Sequence, residues 1–371
     1  MTSLSPPQPP GSASSTPKEL LRPRGPDLRG RTLLDRFRLD ALTAFGGMAD
    51  IYEALDLRLR RRVAIKALHP EHGRAPDQRR RFFQEAVLAA QIDHPHVIQI
   101  FDHGEEPAAP GGEPVLFLVM PLLRGVTLRQ RLLEPAMPIA DALRLTTQLL
   151  DGLAEIHKLG AVHRDLKPEN CLIVQRHGRD HLILLDLGLA KVHTGPLLSL
   201  APSSAPGAMI GTLAYVSPEQ AREQPITPAA DIYAVGVILF ELLTRRVPFP
   251  GTTALEVLSA HASEQAPSVT ARAPDRGISD DLEALVASAL EKDPARRPES
   301  ADAFRRALEA AAGQVVAPED GYEHARASLI AWRDCADHEA LVRARLAAEQ
   351  NAVWSPLVEL IEIATDAAGP A

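Results

Sequence analysis

From about Asp35 the chain is written in short apolar runs. Phe37 to Leu42, Val63-Ala64-Ile65-Lys66-Ala67-Leu68 and Val115 to Met120 have the length and β-branched content of strands. Between the last two lies Gln78 to Ile92. Its spacing is helical, with Phe82, Ala86, Ala89 and Ala90 on one side. After Thr127 the period lengthens. Leu145, Leu149, Leu153 and Ile156 recur at three and four, the buried stripe of an amphipathic helix. The short apolar run Leu182 to Leu185 is a further strand, and helical patterns then continue to about Ala312. Residues 195–209, GPLLSLAPSSAPGAM, interrupt them with a loop of a length that in a compact domain is usually functional or mobile.

This pattern divides the chain into a strand-rich part followed by a helical part, an α+β arrangement. Residues 1–34 are dominated by Pro, Ser and Gly and cannot bury enough apolar surface to offset chain entropy, so they read as a disordered leader. Residues 35–312 form the ordered domain. Residues 313–371 read as a helical extension: Tyr322, Ala325, Leu329 and Trp332 share one face, and Ser355-Pro356 starts a second helix.

Composition narrows the function classes. A net charge of −8 argues against a dedicated nucleic-acid binder, and the basic clusters Arg58 to Arg62 and Arg79 to Arg81 read as solvated faces. The two cysteines, Cys171 and Cys335, have no metal-ligand spacing, which favours a reducing cytoplasm. Cys171 sits in an apolar run as a small core residue. No basic start precedes an apolar stretch, and the longest apolar run, VGVILFELL, is too short to cross a bilayer.

The chemistry is concentrated in His163 to Asn170, HRDLKPEN. An aspartate here can accept the proton of an attacking hydroxyl, and an asparagine five residues later can offer a carbonyl oxygen to magnesium. The lysine between them can neutralise a phosphoryl group in transfer. Those roles fall to Asp165, Asn170 and Lys167. Companion segments follow the same order along the chain as the parts of a phosphotransferase site. Val63-Ala64-Ile65-Lys66 ends in a lysine suited to nucleotide phosphates, with Glu85 on the next helix to orient it. Asp186-Leu187-Gly188 follows a strand and resembles Asp-Phe-Gly, which would make the aspartate the main magnesium ligand. Gly211-Thr212 and Ser217-Pro218-Glu219 come next, then Asp231 and Arg297.

Together these motifs resemble the eukaryotic-like (Hanks-type) serine/threonine protein kinases, most closely their bacterial branch, over roughly residues 36 to 309. The resemblance implies a bilobal protein-kinase fold, with a β-rich N-lobe and a helical C-lobe, using ATP with Mg2+, or Mn2+ in its place. Asp165, Lys167, Lys66 and Glu85 would then be catalytic, and Asn170 and Asp186 would hold the metal. The phosphate loop would be LTAFGGMADIY (42–52), so that Ala44, Phe45, Gly46, Gly47, Met48, Ala49 and Ile51 line the nucleotide with Ala64. Met120 would be the gatekeeper, and Leu123 the hinge N–H donor. Three positions depart from the family pattern, one of them Leu187, which replaces a phenylalanine and keeps an apolar plug of another shape. Ala44 replaces a glycine and restricts φ, and Pro121 has no N–H to offer adenine.

By the same resemblance, Asp231 would anchor the catalytic loop and Arg297 would pair with Glu219. Arg164 would receive a phosphate on the 195–209 loop. Thr194, Ser199, Ser203, Ser204 and Thr212 are the acceptor hydroxyls, with Ser203 and Ser204 best placed. Thr212 is also expected to bond Asp165 and Lys167 through its hydroxyl. The implied partners are ATP and proteins presenting Ser or Thr, with a homodimer or a further partner through the C-terminal extension. The competing readings are a pseudokinase scaffold and a small-molecule phosphotransferase. The intact set Lys66, Glu85, Asp165, Asn170 and Asp186 disfavours the first; Thr212, Glu219, Asp231 and Arg297 disfavour the second.

Overall fold

The computed structural model describes residues 26–46, 49–70, 76–107, 114–176, 178–186 and 211–311. The chain divides into two compact units, one of residues 1–93 and 98–123, the other of 94–97 and 124–371.

The first unit is a six-stranded antiparallel sheet with one helix. Its strands are β1 (Thr32–Leu33), β2 (Phe37–Phe45), β3 (Ala49–Asp56), β4 (Arg61–Leu68), β5 (Asp102–Glu106) and β6 (Val115–Pro121), in the order β1-β2-β3-β4-β6-β5. Alternation sets one face inward, so Phe37, Leu39, Tyr52, Ala54, Val63, Ile65, Phe117 and Val119 are buried together. The helix α1 spans Pro76–Ala89. Phe82, Ala86 and Ala89 are buried as the spacing predicts, but Ala90 is exposed, because the helix stops one residue before it. The strands outrun the apolar runs that announce them. β2 reaches Phe45 because backbone pairing with β3 continues past the apolar residues, through bulges at Leu39/Ala41 and Leu42/Ala44.

The second unit is mainly helical. It contains a small sheet of β7 (Val126–Thr127), β8 (Cys171–Arg176) and β9 (Arg179–Leu184). The helices are α2 (Leu128–Leu133), α3 (Ile139–Lys158), α4 (Pro218–Ala221), α5 (Pro228–Thr244), α6 (Ala254–Ser263), α7 (Val269–Arg272), α8 (Asp280–Ala289) and α9 (Ala301–Ala311). Leu145, Leu149, Leu153 and Ile156 of α3 are all buried. α5 is apolar on nearly every side and is the buried axis of the unit. Gly125 is required by close approach, since a Cβ there would come within 2.2 Å of the Ile173 carbonyl oxygen. Cys171 is fully buried, and burial pushes its thiol far above the ordinary range, in keeping with a core role.

Among the described residues no helix is long and apolar enough to cross a membrane. The leader up to residue 25, the loop at 187–210 and the extension from residue 312 lie outside them. Thr194, Ser199, Ser203, Ser204, Gly47 and Met48 therefore do too, as does the Glu85 side chain.

Candidate active site

In the first unit, strand register sets the nucleotide-loop candidates beside the candidate lysine. Ile51 pairs with Ala44 on one side and with Lys66 on the other; Lys66 in turn pairs with Leu118. Ala64, buried, pairs with Met120. The turn between β2 and β3 is closed by the Gly46 N–H, which donates to the Ala49 carbonyl at 2.9 Å, and a Cβ on Gly46 would lie 3.1 Å from that oxygen. Phe45, the last residue of β2, is exposed. Ala44 is a paired strand residue and is not among those with positive φ, so the methyl group that distinguishes it from glycine imposes no backbone strain.

Pro121 is the last residue of β6, paired with Val63, and Leu123 follows two residues on at the end of the unit. On α1, Arg79 is paired with Glu105 of β5 rather than only solvated. Pattern reasoning misses Asp50. It follows Ala49 on β3, points inward, and has His69 Nε2 3.1 Å from its carboxylate, both side chains nearly inaccessible.

In the second unit the catalytic-loop candidates come together. Lys167 Nζ lies 3.1 Å from Asp165 Oδ2. Asn170 Nδ2 donates to the Asp165 carbonyl (2.8 Å) and to its carboxylate (3.1 Å). With the amide nitrogen committed to Asp165, the Asn170 carbonyl oxygen is left as the acceptor. The Leu185 N–H donates to the Asn170 main-chain carbonyl at 2.9 Å, which brings the end of the β9 segment, and Asp186 after it, to the same loop.

The loop is held from below by Asp231, 1% exposed on α5. Its carboxylate accepts the N–H groups of His163 (2.7 Å) and Arg164 (2.8 Å), and lies 2.9 Å from His157 Nε2. Arg164 has φ of +65°, a left-handed conformation that a side chain disfavours. Asp231 fixes its N–H, and Gln220 Nε2 donates to its carbonyl at 2.9 Å. His163 is fully buried, and burial lowers its pKa, so it stays neutral.

Glu219 and Arg297 form the expected pair. Two guanidinium nitrogens lie 2.8 and 2.9 Å from the two carboxylate oxygens, and both residues are buried. Among the described residues no hydrogen bond joins Thr212 to Asp165 or Lys167; Thr212 lies half-buried before Leu213, and the expected hydroxyl contact is not made. Sequence reasoning also misses a cluster at Arg129, whose guanidinium binds Glu169 (2.9 Å), Glu241 (2.8 Å) and the Tyr215 hydroxyl. These residues lie as far as 112 positions apart, so no local spacing announces them.

The oxygen donors present suit a hard divalent cation. Asn170 Oδ1 and the Asp186 carboxylate are the ligand types magnesium takes, in small number, with water and phosphate oxygens completing its shell.

Residues 43–308 match the model of the protein kinase domain. The chain is 37% identical over 290 residues to the serine/threonine-protein kinase pkn3 of Myxococcus xanthus, covering 76% of this chain and 51% of that protein. It is 35% identical over 277 residues to the serine/threonine-protein kinase PknB of Mycobacterium tuberculosis, covering 74% and 43%. The chain thus spans about half the length, or less, of these relatives. Among solved structures, the kinase domain of M. tuberculosis PknI is similar in fold, with a TM-score of 0.59 at 24% identity, covering 77% of this chain and 98% of that one.

Proposed function

The chain belongs to the protein kinase domain family, and on that premise we propose that it transfers the γ-phosphoryl group of ATP to serine or threonine hydroxyls of proteins. The observation that carries the proposal is the Asp165–Lys167–Asn170 arrangement, on a loop held by two N–H contacts, from His163 and Arg164, to the buried Asp231. That geometry keeps a carboxylate and an ammonium side by side at the end of a rigid loop. Asp165 accepts the proton of the attacking hydroxyl, and Lys167 offsets charge on the phosphoryl oxygens. Asn170 and Asp186 hold the metal, whose chemistry is to neutralise the phosphate charge.

In the first unit, Lys66, directed by Glu85, binds the nucleotide phosphates. The turn from Ala44 through Phe45, Gly46, Gly47, Met48 and Ala49 to Ile51 covers them, while Ala64, Met120 and Leu123 contact the base. The catalytic domain is residues 35–312, between the leader and the C-terminal extension. Regulation runs through phosphorylation at Ser203 or Ser204, with Arg164 as the receiving guanidinium.

The test is phosphate incorporation from ATP with Mg2+ into the chain itself and into a basic model protein. The wild-type chain should label, and Asp165→Asn should reduce the rate by at least about 100-fold, the scale of losing a general base. Equal labelling of wild type and variant, with ATP bound by both, would reject the enzyme and favour a pseudokinase scaffold.

A further inference from the structure

The segment after Gly211 meets the catalytic loop at two points, and at one of them a helix cap reaches further than a cap requires. Gln220, 9% exposed, is the third residue of the short helix α4 and closes its capping box with Ser217. Its Oε1 accepts the Ser217 N–H at 3.0 Å, and the Ser217 hydroxyl accepts the Gln220 N–H at 3.3 Å. The cap uses only that side-chain oxygen. The other end of the amide leaves the helix: Nε2 donates to the Arg164 carbonyl at 2.9 Å, 56 residues away in the chain. Both partners are main-chain groups, one a donor and the other an acceptor, so the amide has a single orientation and both of its ends are committed.

The carbonyl it holds belongs to a strained residue. Arg164 has φ of +65° and directly precedes Asp165. Asp231 fixes the peptide on the N-terminal side of Arg164, through its N–H. Gln220 fixes the peptide on the C-terminal side, the one that Arg164 shares with Asp165. The N–H of that same peptide donates to the His163 carbonyl at 2.9 Å. Its plane is thus set from both edges, and the Cα of Asp165 lies in that plane. The second meeting point is Arg129, which bonds both the Tyr215 hydroxyl and Glu169, the residue before Asn170.

We propose that Gln220 is a positioning residue for the phosphate transfer stated above, and the idea rests on that reading. It fixes the peptide that carries Asp165, and so ties the placement of the general base to that of the 215–220 segment. A shift of α4 by about 1 Å would stretch the bond past hydrogen-bonding range, so the carboxylate is in place only when the segment is.

Two variants of the full chain separate this role from capping. Gln220→Glu keeps an acceptor for the Ser217 N–H, but at about pH 8, with the carboxyl ionised, it sets a second oxygen against the Arg164 carbonyl. Gln220→Met is uncharged, similar in length, and loses both contacts. With a basic model protein as acceptor, kcat should fall at least about 10-fold in each, the scale of a misplaced catalytic group. The KM for ATP should stay within about twofold of wild type. A residue that only caps α4 predicts that the Met variant is impaired and the Glu variant is not. A wild-type kcat in Gln220→Glu overturns the proposal; where that variant does not fold, a wild-type kcat in Gln220→Met does. Amide hydrogen exchange over residues 161–170 reads the same contact without activity. The Asp165 N–H should exchange at least about 10-fold faster in the variants, and equal exchange would also overturn the proposal. A wild-type chain that labels no protein, with variants that still show the faster exchange, would reject the phosphate-transfer reading and uphold the grip of Gln220 on the loop.

Discussion

Replacing Asp231 by Asn removes one acceptor and leaves the shape unchanged. The carboxylate receives the Arg164 N–H on Oδ1, and the His163 N–H and the His157 ring on Oδ2. An asparagine has a single acceptor oxygen. If that oxygen keeps the Oδ2 contacts, the amide nitrogen faces the Arg164 N–H, two donors opposed in a site 1% exposed. A hydrogen bond to a charged acceptor is worth about 1.5–3 kcal/mol, and an unsatisfied buried donor costs about 1–3 kcal/mol. The left-handed Arg164, with φ of +65°, also loses the contact that fixes its N–H; such residues cost about 1–3 kcal/mol and persist only where neighbours over-determine them.

These contributions overlap, and the expected loss is about 2–4 kcal/mol, a large share of the roughly 5–15 kcal/mol available to a domain. Urea unfolding of the two proteins measures it as a fall in midpoint at unchanged slope. Because Asp165 follows Arg164 directly, a displacement of about 1 Å should also cost on the order of 100-fold in phosphate transfer. A stability change under about 0.5 kcal/mol together with an unchanged rate would mean that Asp231 does not hold the loop, and the reasoning would fail.

Arg297→Met should destabilise by about 3–5 kcal/mol, because it strands Glu219 as a buried charge; the double variant with Glu219→Gln should recover most of that in the same unfolding assay. Acid should weaken the fold in a window set by histidine. His163 and His261 both have lowered pKa values in the folded state, so the unfolded chain binds more protons below about pH 6.5. Their contribution is complete above that pH and is lost as pH falls toward about 3, the value for His261, at about 1.4 kcal/mol per unit for each group. Unfolding midpoints between pH 7 and pH 5 test this, and His261→Gln should flatten the slope. Ala44→Gly should leave nucleotide affinity within about twofold, since Ala44 is an ordinary strand residue; a larger gain in an ATP titration would show that the methyl group matters.

How far the sequence carries depends on the range of the interaction. Apolar periodicity is local, so it determined the strands at 63–68 and 115–120, the α1 face at Phe82 and Ala86, and the α3 stripe from Leu145 to Ile156. It overran the end of α1 by three residues, Ala90 to Ile92, and stopped short on β2, where pairing with β3 rather than side-chain character sets the end. The order and spacing of HRDLKPEN, the VAIK run and the downstream Asp231 and Arg297 were enough to place the chain in its family.

Only the tertiary structure decided how the catalytic loop is held. The left-handed backbone of Arg164, the second clasp from Gln220, the inward Asp50 with His69 and the Arg129 cluster join residues far apart in the chain. So does the Lys292–Tyr233–His261 chain. Each is a buried or part-buried polar contact whose partners are chosen by packing. The sequence dictates which polar groups are present, burial leaves those in the interior needing a partner, and the fold decides which partner each one meets.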